Sequence, residues 1–108
     1  MMLPKQNRLR KEKEIKDVLK NGKIFKTPYF NLYIKENQLS KPRFAFLVPK
    51  KFFKKAVKRN EIKRFFRMTI RKNLEEIKKG IDVVLFVKKD PQKNQKILKE
   101  CIFYLKNF

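Results

Sequence analysis

Apolar residues recur along this chain with two periods, and the switches between them outline the fold. Over residues 11–21 the period is helical: Ile15, Val18 and Leu19 fall at i, i+3 and i+4 among charged neighbours. Gly22 follows, where a helix commonly ends. Over 29–36 the period drops to two, and Phe30, Leu32 and Ile34 alternate with Tyr29, Asn31 and Tyr33 as in a strand. Residues 37–42 read as a turn and 43–48 as a second strand. That strand carries Phe44, Phe46 and Val48 on one face and Ala45 and Leu47 on the other, so it is expected at the centre of a sheet. Residues 23–26 add a short edge strand. The longest helical pattern covers 56–73, and residues 82–88 contain a short strand at 83–87. Asp90 and Pro91 then read as an N-cap and first-turn proline. The helix they open, about 92–106, turns Ile97, Leu98, Cys101, Ile102, Tyr104 and Leu105 inward. The order α-β-β-α-β-α implies an α+β sandwich in a single domain, 1–108, whose residues 1–10 read as a basic arm.

Length and composition fit that outline. A chain of 108 residues suits one domain, and its 11 Phe supply much of the apolar area for a modest core. The charge changes the picture. Lys and Arg total 31 against 10 Asp and Glu, giving +21, with no acidic block to offset it. Such a field attracts polyanions and repels itself. One cysteine and no histidine exclude an intrachain disulfide and a zinc-ligand spacing, and they fit a reducing cytosol. The longest stretch without a charge, 27–34, is far too short to cross a membrane, and the first ten residues do not read as a secretory signal.

The informative segment is 49–72. Wound at about 100° per residue, it gathers Asn60, Lys63, Arg64, Arg67 and Arg71 within an arc of roughly 100° and sets Ile62, Phe65, Phe66, Thr69 and Ile70 opposite. The apolar side needs a sheet to lie on. The cationic side then stands as a rigid row of donors. Guanidinium forks match phosphate oxygens and stack on bases, and a helix fixes their spacing, so a folded RNA is recognised by shape as well as charge. A plain solvated basic face is the other reading of the same pattern. The charge of the whole chain favours RNA.

These residues resemble the signature of the bacterial ribonuclease P protein subunit. Lys50-Lys51 stands after a strand, then come Ala56-Val57, Arg59-Asn60-Glu61-Ile62-Lys63-Arg64, and Arg67. Asn7-Arg8-Leu9-Arg10 is similar to the family's start, Ile15, Leu19 and Gly22 to its first helix, and Asp82-Val83-Val84 to its last strand, so the resemblance spans about 5–105. Glu61 stands where the family usually carries Arg, Pro49 where Ser is common, and Ile15 and Leu19 where aromatic residues are frequent. The resemblance implies a two-layer α-β sandwich similar to a domain of a ribosomal protein, with a left-handed βαβ crossover into the Arg-Asn helix. It implies a cytoplasmic ribonucleoprotein that removes the 5′ leader of precursor tRNA, with Mg²⁺ and the chemistry carried mainly by the RNA subunit. Its partners would be that catalytic RNA, in a 1:1 complex, and precursor tRNA, with no membrane. The RNA-binding residues would be Lys50, Lys51, Arg59, Asn60, Lys63, Arg64, Arg67 and Arg71. A cleft for the leader would draw on Ile15, Leu19 and Tyr33.

Each cleft residue also has a plainer reading. Tyr33 either stacks on a leader base or covers the edge of the core; Ile15 and Leu19 fit core packing as well. Phe52 and Phe53 either stack on RNA or anchor the loop before the long helix. No catalytic set is visible in the protein: paired histidines are absent, and no two carboxylates stand at the spacing of a two-metal site. A ribosomal or general structured-RNA-binding protein without enzymatic role shares the charge and remains the alternative. A cationic membrane-surface protein would need exposed apolar faces, which the alternating strands argue against.

Overall fold

The structure is a computed structural model that describes residues 3–92 and 94–108. Residues 1 and 2 of the expected arm, and residue 93 within the expected last helix, lie outside the described residues. Three helices and four strands follow one another as α1 (Glu12–Asn21), β1 (Lys23–Lys26), β2 (Phe30–Glu36), β3 (Arg43–Leu47), α2 (Ala56–Lys72), β4 (Ile81–Val87) and α3 (Gln95–Lys106), with single 3-10 turns at Lys5–Asn7 and Leu74–Glu76. The strands form one sheet in the order β1-β2-β4-β3. β1 and β2 pair antiparallel, as do β2 and β4, whereas β3 and β4 run parallel and are joined through α2.

The period-two strands give the sheet two different faces. Phe30, Leu32 and Ile34 of β2, Phe44 of β3, and Ile81, Val83, Leu85 and Val87 of β4 bury against Ile62, Phe66 and Ile70 of α2 and Ile97, Leu98, Cys101, Ile102 and Leu105 of α3. Fully burying each Leu, Ile or Phe contributes about 1.5–3 kcal/mol, so this layer dominates stability. The lone thiol belongs to it, and burial pushes Cys101 up to about 12, out of the reactive range. On the second face Val84 and Ala45 meet Val18 of α1 and Leu9, a much smaller cluster.

Two expectations, the central place of β3 and the start of α3, need correction. β3 is an edge strand, not a central one. It is apolar on both faces because helices cover both. Its outer edge is closed by the amino-terminal segment, where Leu9 N–H donates to Phe44 O (2.8 Å) and Arg8 bridges Phe44. The arm is correspondingly docked: Leu3, Asn7 and Leu9 are buried, and Asn7 Nδ2 donates to Pro42 O (2.8 Å). Lastly, α3 begins at Gln95 rather than near 92. Gln92 takes a positive φ of 48°, which no helix tolerates, so Asp90 Oδ1 accepts from Gln92 N–H in a local turn and Asn94 caps the helix by accepting from Lys96 N–H.

Gly22 does end α1, for a reason of space. Its φ is an ordinary −76°, but a Cβ there would sit 2.5 Å from Val18 O and 3.1 Å from Ile34 O. Gly80, in contrast, needs its left-handed φ of 77° to turn the chain into β4, and its carbonyl accepts from Asn37 N–H (2.8 Å).

Candidate nucleic-acid interface

The helix α2 splits as its sequence requires. Ile62, Phe66 and Ile70 are buried under it, while Asn60, Arg64 and Arg71 are exposed and Lys63 and Arg67 half-buried on the outer side. The structure therefore brings five of the eight expected RNA-binding residues onto one helical face. No side chain caps the helix start and no acid stands in its first turn, so its dipole adds to the positive charge there. The Arg67 guanidinium lies 5.8 Å from the centre of the Phe46 ring, a cation–π contact with β3.

The other three expected residues belong to the preceding loop and its anchor. Lys50 and Lys51 are exposed in the turn after β3, where Phe52 and Phe53 N–H both donate to Pro49 O. Lys51 Nζ lies 5.5 Å from the Phe52 ring centre. Arg59 is half-buried and donates through Nη1 to Phe53 O (2.9 Å) and Lys54 O (3.0 Å), so it fixes the loop against the first turn of α2. Glu61, the acid in the motif, sits on the flank of the row. It faces a hollow shared with Lys58, Asp90 and Gln92, where Lys58 Nζ and Asp90 Oδ2 pair at 2.6 Å. The negative charge is thus offset from the row of cations.

Ile15, Leu19 and Tyr33 also come together. All three are half-buried around Leu9, Val18, Ala45 and Val84 on the second sheet face. The helix that supplies two of them is tied down by charge. Arg43 donates through Nε and Nη2 to both oxygens of Asp82 (2.8 and 2.7 Å) and through Nη2 to Glu14 Oε2 (3.0 Å). Lys35, in the same cross-strand row as Asp82 and Arg43, pairs with Asp17. The hydrogen bond from Lys35, helped by Asn21, holds the Asp17 carboxyl below the usual carboxylate range. Hydrogen bonds to Asp82 raise Arg43 further above an already high value.

Two features escaped the sequence reading. Phe86 projects onto the second face, half-exposed, and meets the Phe52 ring edge-on at 6.4 Å and 89°. In sequence it lay inside a short apolar run that read as buried on both faces, and only the register with β2 and β3 separates it from the core. A hollow of about 320 Å³ also opens along the β3 edge between Arg8, Arg10, Ile15, Phe46, Leu47 and Arg67. It joins the α1 side of the sheet to the cationic row of α2, which no local pattern could reveal.

Comparison with known proteins matches these surfaces to a family. The family model described as Ribonuclease P matches residues 3–108. The ribonuclease P protein component of Nitrosomonas eutropha is 34% identical over 95% of this chain and 88% of its own. That of Clostridium botulinum (strain Langeland) is 36% identical over 78% of this chain and 76% of its own. Among solved structures, the RNase P protein from Thermotoga maritima superposes with a TM-score of 0.81 at 28% identity, covering 94% of this chain and 96% of that one. A protein this basic, with a helical row of cations, fits a subunit that serves an RNA, and the sequence and fold agree: the chain belongs to the ribonuclease P protein family, the protein subunit of the ribonucleoprotein that matures the 5′ end of tRNA.

Proposed function

We propose that the two surfaces divide the labour of the subunit: the outer face of α2 docks on the catalytic RNA, and the second face of the sheet receives the 5′ leader of precursor tRNA. The observation that carries this reading is the hollow along β3, lined at once by Arg67 of the helical row and by Ile15 of α1. A strand leaving the catalytic RNA's cleavage site would pass from phosphate-binding cations to a partly apolar floor without crossing a gap. Arg64 and Arg71 supply exposed donors for phosphates, and Tyr33 supplies a ring on which a leader base stacks.

The protein's own groups then bind, orient and screen charge. Among the described residues no three Asp, Glu, His or Cys side chains gather in a way that could hold a metal ion. In this reading Mg²⁺, and the water it activates, belong mainly to the RNA subunit. A 1:1 complex in the cytoplasm is the assembly this division needs. No helix among the described residues is long and apolar enough to cross a membrane.

Reconstitution tests the reading. The protein added to its catalytic RNA is expected to accelerate cleavage of precursor tRNA in Mg²⁺ at physiological salt, where the RNA alone is slow. Tyr33→Ala is expected to weaken precursor binding by roughly 5- to 100-fold, the worth of one aromatic stack, and to leave mature tRNA binding unchanged. Equal losses on both would place the leader elsewhere.

A further inference from the structure

The outer surface of the helical layer is grooved. Between α2 and α3 two hollows of about 520 and 440 Å³ adjoin, and they share Thr69, Asn73, Gln95 and Leu98 in their walls. The α3 wall runs from Gln95 to Lys106, about 16 Å at 1.5 Å per residue, or three turns of a helix.

The groove is apolar within and cationic around. Leu98 and Ile102, both nearly buried, form its floor, and Phe65 continues it. Met68 on α2 and Phe103 on α3 line it from opposite sides and are 38% and 60% exposed. Apolar surface of this kind, continuous with a concave floor, marks an interaction site. Polar side chains of the α2 wall are turned onto their own helix: Thr69 Oγ1 donates to Phe65 O (3.1 Å) and Asn73 Nδ2 to Thr69 O (2.8 Å). Arg64, Lys72, Lys99 and Lys106 stand among the lining residues against the single acid Glu61. Lys106 is partly engaged by Glu76 at 3.3 Å. The leader surface lies on the other side of the sheet, and the cationic row of α2 shares only Arg64 with this groove.

Charge and shape choose among occupants. A second copy would bring another +21 against a rim already positive. A nucleic-acid strand meets the charge, but its bases stack on aromatic planes, and here one exposed ring stands over an aliphatic floor. A helix with an apolar stripe and acidic flanks meets both. Its stripe would enter the floor, its acids would face Lys72 and Lys99, and Met68 would adapt to the side chains it meets. We propose that the α2–α3 groove docks an acidic amphipathic helix of a partner protein, about three turns long, and so leaves the leader surface free.

The test uses the full-length protein and two labelled peptides of about fifteen residues, built from the same Leu, Glu, Ala and Gln content. In one, Leu repeats at helical spacing and makes a stripe. In the other the order is scrambled, so the charge is equal and the stripe is lost. At about 0.15 M salt the striped peptide is expected to bind about tenfold or more tighter. Its amide-shift footprint is expected over 64–73 and 95–106. The Met68→Ser, Phe103→Ser double variant is expected to bring the ratio within about twofold of unity, while precursor cleavage by the reconstituted holoenzyme and a cooperative thermal transition are retained. Lys99→Glu, at an exposed position, is expected to weaken the striped peptide more at low salt than at high salt. Equal binding of the two peptides would overturn the proposal and leave only a diffuse field. A ratio that survives the double variant would do the same, because the stripe would then sit elsewhere. A single-stranded oligonucleotide of matched charge completes the set: if its affinity falls in the double variant and the peptide ratio does not, the groove is an RNA surface and the proposal fails.

Discussion

Single side chains on α2 differ in what they do beyond carrying charge. Arg64 is exposed, so its guanidinium is available for a phosphate at little cost in desolvation. Arg67 is half-buried and rests on Phe46 at 5.8 Å, so it meets RNA from a fixed position. Arg59 spends a nitrogen on the carbonyls of Phe53 and Lys54, which makes its loss structural as well as electrostatic. Arg64→Ala and Arg67→Ala are each expected to reduce affinity for the catalytic RNA and to flatten its salt dependence by roughly 0.7–0.9 log units per log unit of salt for each phosphate contact removed. Titrations at several salt concentrations read this directly, and an unchanged slope would take the residue off the contact face. Arg59→Ala is the informative contrast, because releasing the 53–54 loop should also lower the Tm.

Among the elements, α1 is the one held most lightly, and it walls one side of the leader surface. Only Val18 is buried beneath it, with Ile15 and Leu19 half-covered, so ionic ties contribute a larger share of its docking than for α2 or α3. The Arg43–Asp82–Glu14 cluster is largely shielded: Arg43 and Asp82 side chains are 19% and 10% exposed. Arg43→Met leaves Asp82 with Asn37 as its remaining side-chain partner, and is expected to cost about 2–4 kcal/mol in denaturant unfolding, toward the lower side of what breaking a buried pair costs. The Asp17 tie adds a pH dependence of known sign. Folding lowers that carboxyl's pKa, so its stabilisation is present above the unfolded value near about 4 and is lost as pH falls through the folded value. Amide exchange in α1 should therefore accelerate on acidification below about pH 4 in the wild type, and Asp17→Asn should remove that dependence. The same elements show how far the sequence could be read. Apolar patterning located six of the seven elements, with 23–26 added as an edge strand on no pattern of its own, and the two-sidedness of α2 was visible in its 3.6-residue pattern. The position of β3 was not, because apolar residues on both faces report two covered faces and do not say whether the edge is paired. Asp90-Pro91 misled for a related reason: the cap chemistry was present, but a positive φ at Gln92 postponed the helix to Asn94. The exposure of Phe86 depends on cross-strand register, which a linear pattern does not carry.

At the scale of the whole molecule, one number governs the behaviour of the free protein. A formal charge of +21 on 108 residues places many like charges within a Debye length of one another, so the folded state works against its own field. The few ion pairs present, such as Lys58–Asp90 and Lys106–Glu76, offset little of it. Two kinds of relief are possible. Screening depends only on ionic strength, whereas an anion seated among Arg64, Arg67 and their neighbours stabilises the folded state by binding it and not the unfolded chain. Sulfate imitates a phosphate group of RNA, and chloride at equal ionic strength supplies the screening alone. Sulfate is therefore expected to raise the Tm more than chloride, and to keep raising it with the logarithm of concentration, because binding linkage continues where screening levels off. Each 1 kcal/mol of linkage should appear as about 4–8 °C for a chain of this size. The Arg64→Ala, Arg67→Ala double variant should lose most of the sulfate-specific increment while its response to chloride stays the same. Equal curves for the two salts would mean that the cationic row does not act as a phosphate site at all, only as part of a diffuse field.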